Sequence, residues 1–156
     1  MTVTIDGTSG ITYPAGTIQG TGYGPAFSAY ANAATSLTGG VSTKLTLGTE
    51  TFDTANCFAS SRFTPNVAGY YQINGAVRTD STSSYFTAYL FKNGNVLNGG
   101  SFSAASVAAF QSSVSSVVYM NGSTDYIELY AYSSTTVNST TGEAATYFNG
   151  AMIRGA

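Results

Sequence analysis

The stretch FTPNVAGYYQINGAV, Phe63 to Val77, decides the fold. From Tyr70 to Thr79 its residues alternate, with Tyr71, Ile73 and Val77 on one face and Tyr70, Gln72, Asn74 and Arg78 on the other, the period of a half-buried strand. The closing stretch TYFNGAMI, Thr146 to Ile153, repeats the pattern almost at the end of the chain. A final strand of this kind belongs inside a sheet, and the pair predicts an all-β shell.

Working outward, Thr, Tyr, Val and Phe dominate the patterned segments, while glycines and Asn-Gly pairs separate them. Phe86, Ala88 and Leu90 share a face opposite Tyr85, Thr87, Tyr89 and Phe91, and Asn93-Gly94 then signals a type I′ hairpin, because both residues tolerate positive φ. A Ser/Ala-rich stretch reads as a loop or an edge strand. Val114 to Met120 is a further strand, which Asn121-Gly122 turns into Tyr126 to Tyr132, where Ile127, Leu129 and Ala131 oppose Tyr126, Glu128, Tyr130 and Tyr132. Pro25 to Asn32 and Thr43 to Phe52 supply earlier strands. Eight to ten such strands suggest an antiparallel two-sheet sandwich or jelly roll.

The 156 residues are about one domain long and 43% hydrophobic, enough for a substantial core, and the domain is placed at residues 25–156. Residues 1–24 differ: rich in Gly and Thr, with Pro14 and few large apolar residues, they read as an extended attachment arm.

The chemistry is sparse. Charged residues are 8% of the chain and net charge is −2, whereas more than a quarter of the residues are Ser or Thr. Lys44, Arg62, Arg78, Lys92 and Arg154 are scattered singly, which argues against nucleic acid. No stretch reaches the roughly 18 apolar residues of a spanning helix, and the opening residues lack a signal-peptide pattern; a soluble chain used from Met1 is expected. The sequence has no histidine, which removes the commonest general base and metal ligand. Asp6, Glu50, Asp53, Asp80, Asp125, Glu128 and Glu143 form no recognisable catalytic pair. Cys57, alone between Asn56 and Phe58, reads as a small buried hydrophobe. Asp80 with Ser81, or Asp125 with Asn121, could offer oxygen ligands to calcium, but the spacing lacks an EF-hand pattern and a solvated turn is favoured. No catalytic residue, metal or cofactor is assigned, and the chain reads as a non-enzyme.

Two neighbouring strands carry aromatics on the face opposite an apolar one. Tyr85, Tyr89, Phe91, Tyr126, Tyr130 and Tyr132 are therefore predicted to form a patch buried between subunits.

These residues carry a resemblance. FTPNVAGYYQI, with PAFSAY at Pro25 to Tyr30, the pair YLFKNGNVL and VVYMNGSTDYIELYAY, and the closing YFNGAMI, is similar in order and spacing to the C1q-like domains that share the tumour necrosis factor jelly roll. It covers about Pro25 to Arg154. The resemblance implies a compact homotrimer around a threefold axis, where the aromatics would meet. The sequence departs from the pattern at Asn121-Gly122-Ser123-Thr124-Asp125, which replaces a Gly-Asp turn, and in having no collagen stalk. IDGTSGITYPAGTIQG, Ile5 to Gly20, resembles a short segment that recurs in bacteriophage tail fibres and other virion appendages.

Together these imply a trimeric virion structural protein, assembled in the host cytoplasm, that adheres to host-surface glycan or protein. Ile5, Ile11, Tyr13, Pro14 and Ile18 are the expected contacts with other virion proteins. Loops carrying Asp80, Ser84, Asn98, Phe102 and Asn138 are the expected receptor contacts, since neutral hydroxyl-rich loops suit sugars. The alternatives are a capsid decoration or neck protein that stabilises the particle, and a cellular C1q-like lectin or signalling ligand.

Overall fold

The computed structural model describes residues 4–6, 10–12, 18–19, 24–101, 103–105 and 110–156. Every regular element among them is a strand. In chain order these are β1 (Thr4–Asp6), β2 (Gly10–Thr12), β3 (Ile18–Gln19), β4 (Ala26–Tyr30), β5 (Ser36–Leu37), β6 (Ser42–Lys44), β7 (Thr49–Asp53), β8 (Phe58–Ala59) and β9 (Arg62–Phe63). There follow β10 (Ala68–Arg78), β11 (Ser83–Lys92), β12 (Asn95–Gly99), β13 (Ser103–Ala105), β14 (Gln111–Asn121), β15 (Ile127–Ser133), β16 (Val137–Asn138) and β17 (Tyr147–Gly155).

Two antiparallel sheets build a jelly-roll sandwich. One has five strands in the order β14-β10-β17-β4-β7; the other has seven, β12-β11-β15-β9-β8 with β13 beside β11 and β6 beside β15. The final strand β17 sits in the middle of the first sheet, between β10 and β4. Tyr147 to Ala151 are therefore held by hydrogen bonds on both sides. In the N-terminal segment, β1, β2 and β3 pair as a small antiparallel meander.

The two halves of the opening stretch serve opposite sheets. Phe63 belongs to β9 and Tyr71 to β10, and their rings meet edge to face with centroids 5.5 Å apart. Phe27 stacks on Phe63 at 4.3 Å and on Phe58 at 5.0 Å, and Phe148 packs edge-on against Phe27 at 4.9 Å. Such offset and edge-on arrangements suit the ring quadrupoles and add to the gain from burial. The Tyr71 hydroxyl donates to the Val67 carbonyl at 2.7 Å, so a buried polar group is satisfied four residues upstream. Burial pushes its phenol up to about 12, and the ring remains neutral across the ordinary pH range. Gly75 is a point of close approach between layers: a Cβ there would lie 2.5 Å from Leu129 Cδ1.

Most inward-facing positions follow the alternation. Tyr71, Ile73 and Val77 of β10, Phe86, Ala88 and Leu90 of β11, and Ile127, Leu129 and Ala131 of β15 are all buried. Asn93 and Gly94 have φ of 52° and 80°, and they join β11 to β12 as the hairpin signal requires.

Two expectations need correction. Thr43 to Phe52 is not one strand: β6 pairs with β15 in the seven-stranded sheet and β7 pairs with β4 at the edge of the five-stranded one. Between them Leu45 and Leu47 are both buried, and the intervening amides are taken up by Leu129 O, Thr35 Oγ1 and Ser61 Oγ. The chain can leave one ladder and join the other because the N–H groups of Leu45, Thr46 and Leu47 all find partners. Likewise, Asn121-Gly122 does not return β14 alongside β15, because the loop carries the chain across to the other sheet. Asn121 Oδ1 accepts the backbone N–H groups of Ser123, Thr124 and Asp125 at 2.9–3.0 Å, an Asx-type arrangement that holds this crossing.

Candidate functional site

The six predicted interface aromatics do gather on one surface, the outer face of the seven-stranded sheet. Register sets Tyr89 opposite Tyr130, Thr87 opposite Tyr132 and Phe91 opposite Glu128. Phe91 stacks on Tyr130 at 4.0 Å, Tyr85 meets Tyr132 edge-on at 5.5 Å, and Tyr89 meets Phe91 edge-on at 6.4 Å. The Arg62 guanidinium lies 3.8 Å from the centre of the Tyr126 ring. All six are half-buried within their own subunit.

Beneath this layer lies Glu128, only 3% exposed although it points outward from the sandwich. Lys44 Nζ and Arg62 Nε both donate to its Oε1, at 2.6 and 2.8 Å, and the Tyr130 hydroxyl donates to Oε2 at 3.4 Å. Burial alone would push the carboxyl up, but the two cations together outweigh it and hold it below its ordinary value. Three elements distant in sequence, β6, β9 and β15, meet at this carboxylate. No spacing in the sequence announces that meeting.

The more exposed apolar surface is on the opposite side. On the outer face of the five-stranded sheet, Tyr70 (44% exposed), Tyr119 (43%), Val117 (54%) and Ile153 (57%) stand together. Tyr70 and Tyr119 are register partners with ring centroids 5.5 Å apart. Ile153 falls at a β-bulge in β17, between the Tyr70–Arg154 and Tyr71–Met152 pairs. With Arg154, Gly155 and Ala156 these side chains line a hollow of about 530 Å³. Beside it, Gln72, Asn74, Asn149, Ser28 and Phe52 edge a second hollow of about 250 Å³. Gln72 Nε2 donates to Asn74 Oδ1 and Ser115 Oγ, and Asn74 Nδ2 donates to Asn149 Oδ1, so the amides form a neutral ladder across three strands. The sequence reading placed Tyr70 on the outward face of its strand but overlooked Val117 and Tyr119. Their signal was the alternation of QSSVSSVVYMN, which turns both outward where serines otherwise stand.

The predicted receptor contacts are only partly united. Asp80 and Asn138 are adjacent: the Asp80 N–H donates to Asn138 O at 3.1 Å and the Asn138 N–H to Asp80 Oδ1 at 3.3 Å. A hydrogen bond from Ser81 is the main cause holding the Asp80 carboxyl below its ordinary value. Asn98 lies elsewhere, on the edge strand β12, and its amide donates to Ser115 O. The Ser84 backbone lies in β11, and Phe102 falls outside the described residues. In the N-terminal segment Ile5 pairs in register with Ile11, and Ile18 with Thr12, whereas Tyr13 and Pro14 lie outside the described residues.

Asp125, a candidate calcium ligand, already accepts from Asn93 Nδ2 at 2.8 Å, Lys92 Nζ at 2.9 Å and the Asn121 N–H at 3.1 Å. Those donors, Asn93 first, draw its carboxyl down. Among the described residues no group of three or more His, Cys, Asp or Glu side chains is placed to hold a metal ion.

No protein-family model and no curated protein matches this chain. Solved structures match its fold. The globular domain of zebrafish complement 1qA has a TM-score of 0.64 at 18% identity, covering 85% of this chain and 99% of that one. Murine APRIL has a TM-score of 0.67 at 10% identity, covering 83% and 99%. The Eiger TNF of S. frugiperda has a TM-score of 0.65 at 7% identity, covering 85% and 92%. Over 83–85% of its length the chain thus has the jelly-roll fold of C1q and tumour necrosis factor domains.

Proposed function

We propose that this chain is the non-enzymatic head of a bacteriophage appendage: a homotrimer anchored to the virion by residues 1–24 and adhering to the host surface. The C1q-like resemblance implies the trimer. One observation favours its geometry: the exposed Tyr70, Val117, Tyr119 and Ile153 cluster on the five-stranded sheet, beside neutral amides able to pair across a boundary. Packing that sheet inward would turn the tyrosines of the seven-stranded sheet outward. The interface proposed here is therefore the face opposite to Tyr85, Tyr89, Phe91, Tyr126, Tyr130 and Tyr132, whose rings already cover one another within a subunit.

The virion half of this reading is supported by the sequence of the N-terminal segment, IDGTSGITYPAGTIQG. Adhesion is supported by a low-charge surface rich in hydroxyls and tyrosines. Antibody labelling of purified particles tests the assignment: gold at the tip of a tail or fibre supports it. Labelling over the capsid would favour decoration instead, and its absence from particles would reject a virion role.

A further inference from the structure

We propose that the hollow bounded by Tyr85, Tyr89 and Tyr132, on the outer face of the seven-stranded sheet, binds one uncharged pyranose unit of a surface polysaccharide. The inference rests on the adhesion reading for the source of the sugar. The site itself rests on geometry.

The hollow is about 290 Å³, near the lower end of the roughly 300–1,000 Å³ range of small-molecule sites. Three phenols line it, which offer apolar ring faces for the C–H face of a sugar and hydroxyls for its O–H groups. The rings are held in place. Tyr85 and Tyr132 pack edge-on, and so do Tyr89 and Phe91. Gly99, the register partner of Tyr89, leaves room for that ring, since a Cβ would approach its Cε1 to 2.9 Å. Behind Tyr85, Ser83 Oγ contacts Ser133 Oγ at 2.9 Å and Ser134 Oγ at 3.2 Å, and Ser134 Oγ accepts the Tyr85 N–H at 3.1 Å. A ligand entering such a site orders little that is not already ordered.

Charge narrows the ligand class. The lining holds no Asp, Glu, Lys or Arg, and the register partner of Tyr132 across the sheet is Ser42. The nearby cations Lys44 and Arg62 are committed to Glu128. An acidic sugar would find no free counter-charge, whereas a neutral pyranose loses nothing by that.

The test uses the full chain labelled with 3-fluorotyrosine, with Tyr85→Phe, Tyr89→Phe and Tyr132→Phe identifying the three resonances. Methyl α-glucoside, methyl α-galactoside and methyl α-rhamnoside are titrated, with galacturonate as the anionic comparator. At least one neutral glycoside should shift the three resonances in the millimolar range and leave Tyr70 and Tyr119 unmoved. Tyr132→Ala should weaken that binding by about fivefold or more, the size of one aromatic contact, with sedimentation unchanged. Should that variant not fold, Tyr132→Phe, which keeps the ring, should still weaken binding about twofold, the share of one hydroxyl. Shifts confined to Tyr70 and Tyr119, preference for galacturonate, or no response to any probe would overturn the site. Retention of the wild type on host cells separates the two readings. Retention that Tyr132→Ala leaves unchanged removes the site but spares adhesion; no retention alongside a sugar-dependent shift removes adhesion but spares the site.

Discussion

Glu128→Gln is the most informative single substitution in the subunit. The carboxylate is 3% exposed and receives both Lys44 and Arg62, whose side chains are 31% and 43% exposed. Breaking a fully buried pair costs about 3–5 kcal/mol, and an exposed pair is worth about 0.2–1 kcal/mol. Here the acceptor is buried but both cations can turn back to water. A loss of about 2 kcal/mol lies between those limits, and in a chain of this size it lowers Tm by about 4–8 °C. Protein concentration must be held fixed, since any self-association would contribute to Tm. The pH dependence supplies the control. The Glu128 carboxyl sits lower in the folded chain than in the unfolded one, so its contribution is complete at neutral pH and fades as pH falls through the folded value. The gap in Tm between wild type and Glu128→Gln should therefore be full at pH 7 and shrink towards pH 3. An equal gap at both pH values, or none at pH 7, would refute the reasoning.

Tyr71→Phe removes the bond to Val67 O, whose residue is exposed and can turn to water, so urea unfolding should show a loss of about 0.5–1.5 kcal/mol with an unchanged m-value. Gly75→Ala places a methyl group against Leu129 between the sheets, and a loss of about 1–3 kcal/mol is expected from the same assay. Asp125→Asn weakens the contacts with Lys92 and Asn93 on an exposed loop, so calorimetry should show a change of less than about 1 kcal/mol.

The fold was legible where local chemistry and period agree. Tyr71, Ile73 and Val77 announce a buried face, and Asn93-Gly94 announces a hairpin, because strand period and positive φ are properties of neighbouring residues. The split of Thr43 to Phe52 was hidden because Leu45 and Leu47 continue an apolar alternation through a sheet-to-sheet crossing. β11 and β15 present large side chains on both faces, so alternation alone told which side is inside but not how much of the outside is covered. That coverage is built by Lys44 and Arg62 arriving from β6 and β9 and by ring-on-ring packing between strands. It is a tertiary fact. On β14 the cue was present but overlooked: Val117 and Tyr119 interrupt an outward row of serines and mark the surface with the greater exposure.

The central claim is self-association through the five-stranded sheet, and sedimentation equilibrium of three chains addresses it directly. Wild type should sediment at three times the 16.1 kDa chain mass, Val117→Lys should fall towards a single chain, and Tyr130→Ser, on the opposite sheet, should stay with the wild type. A monomeric wild type, or dissociation by Tyr130→Ser with Val117→Lys unaffected, would contradict the account.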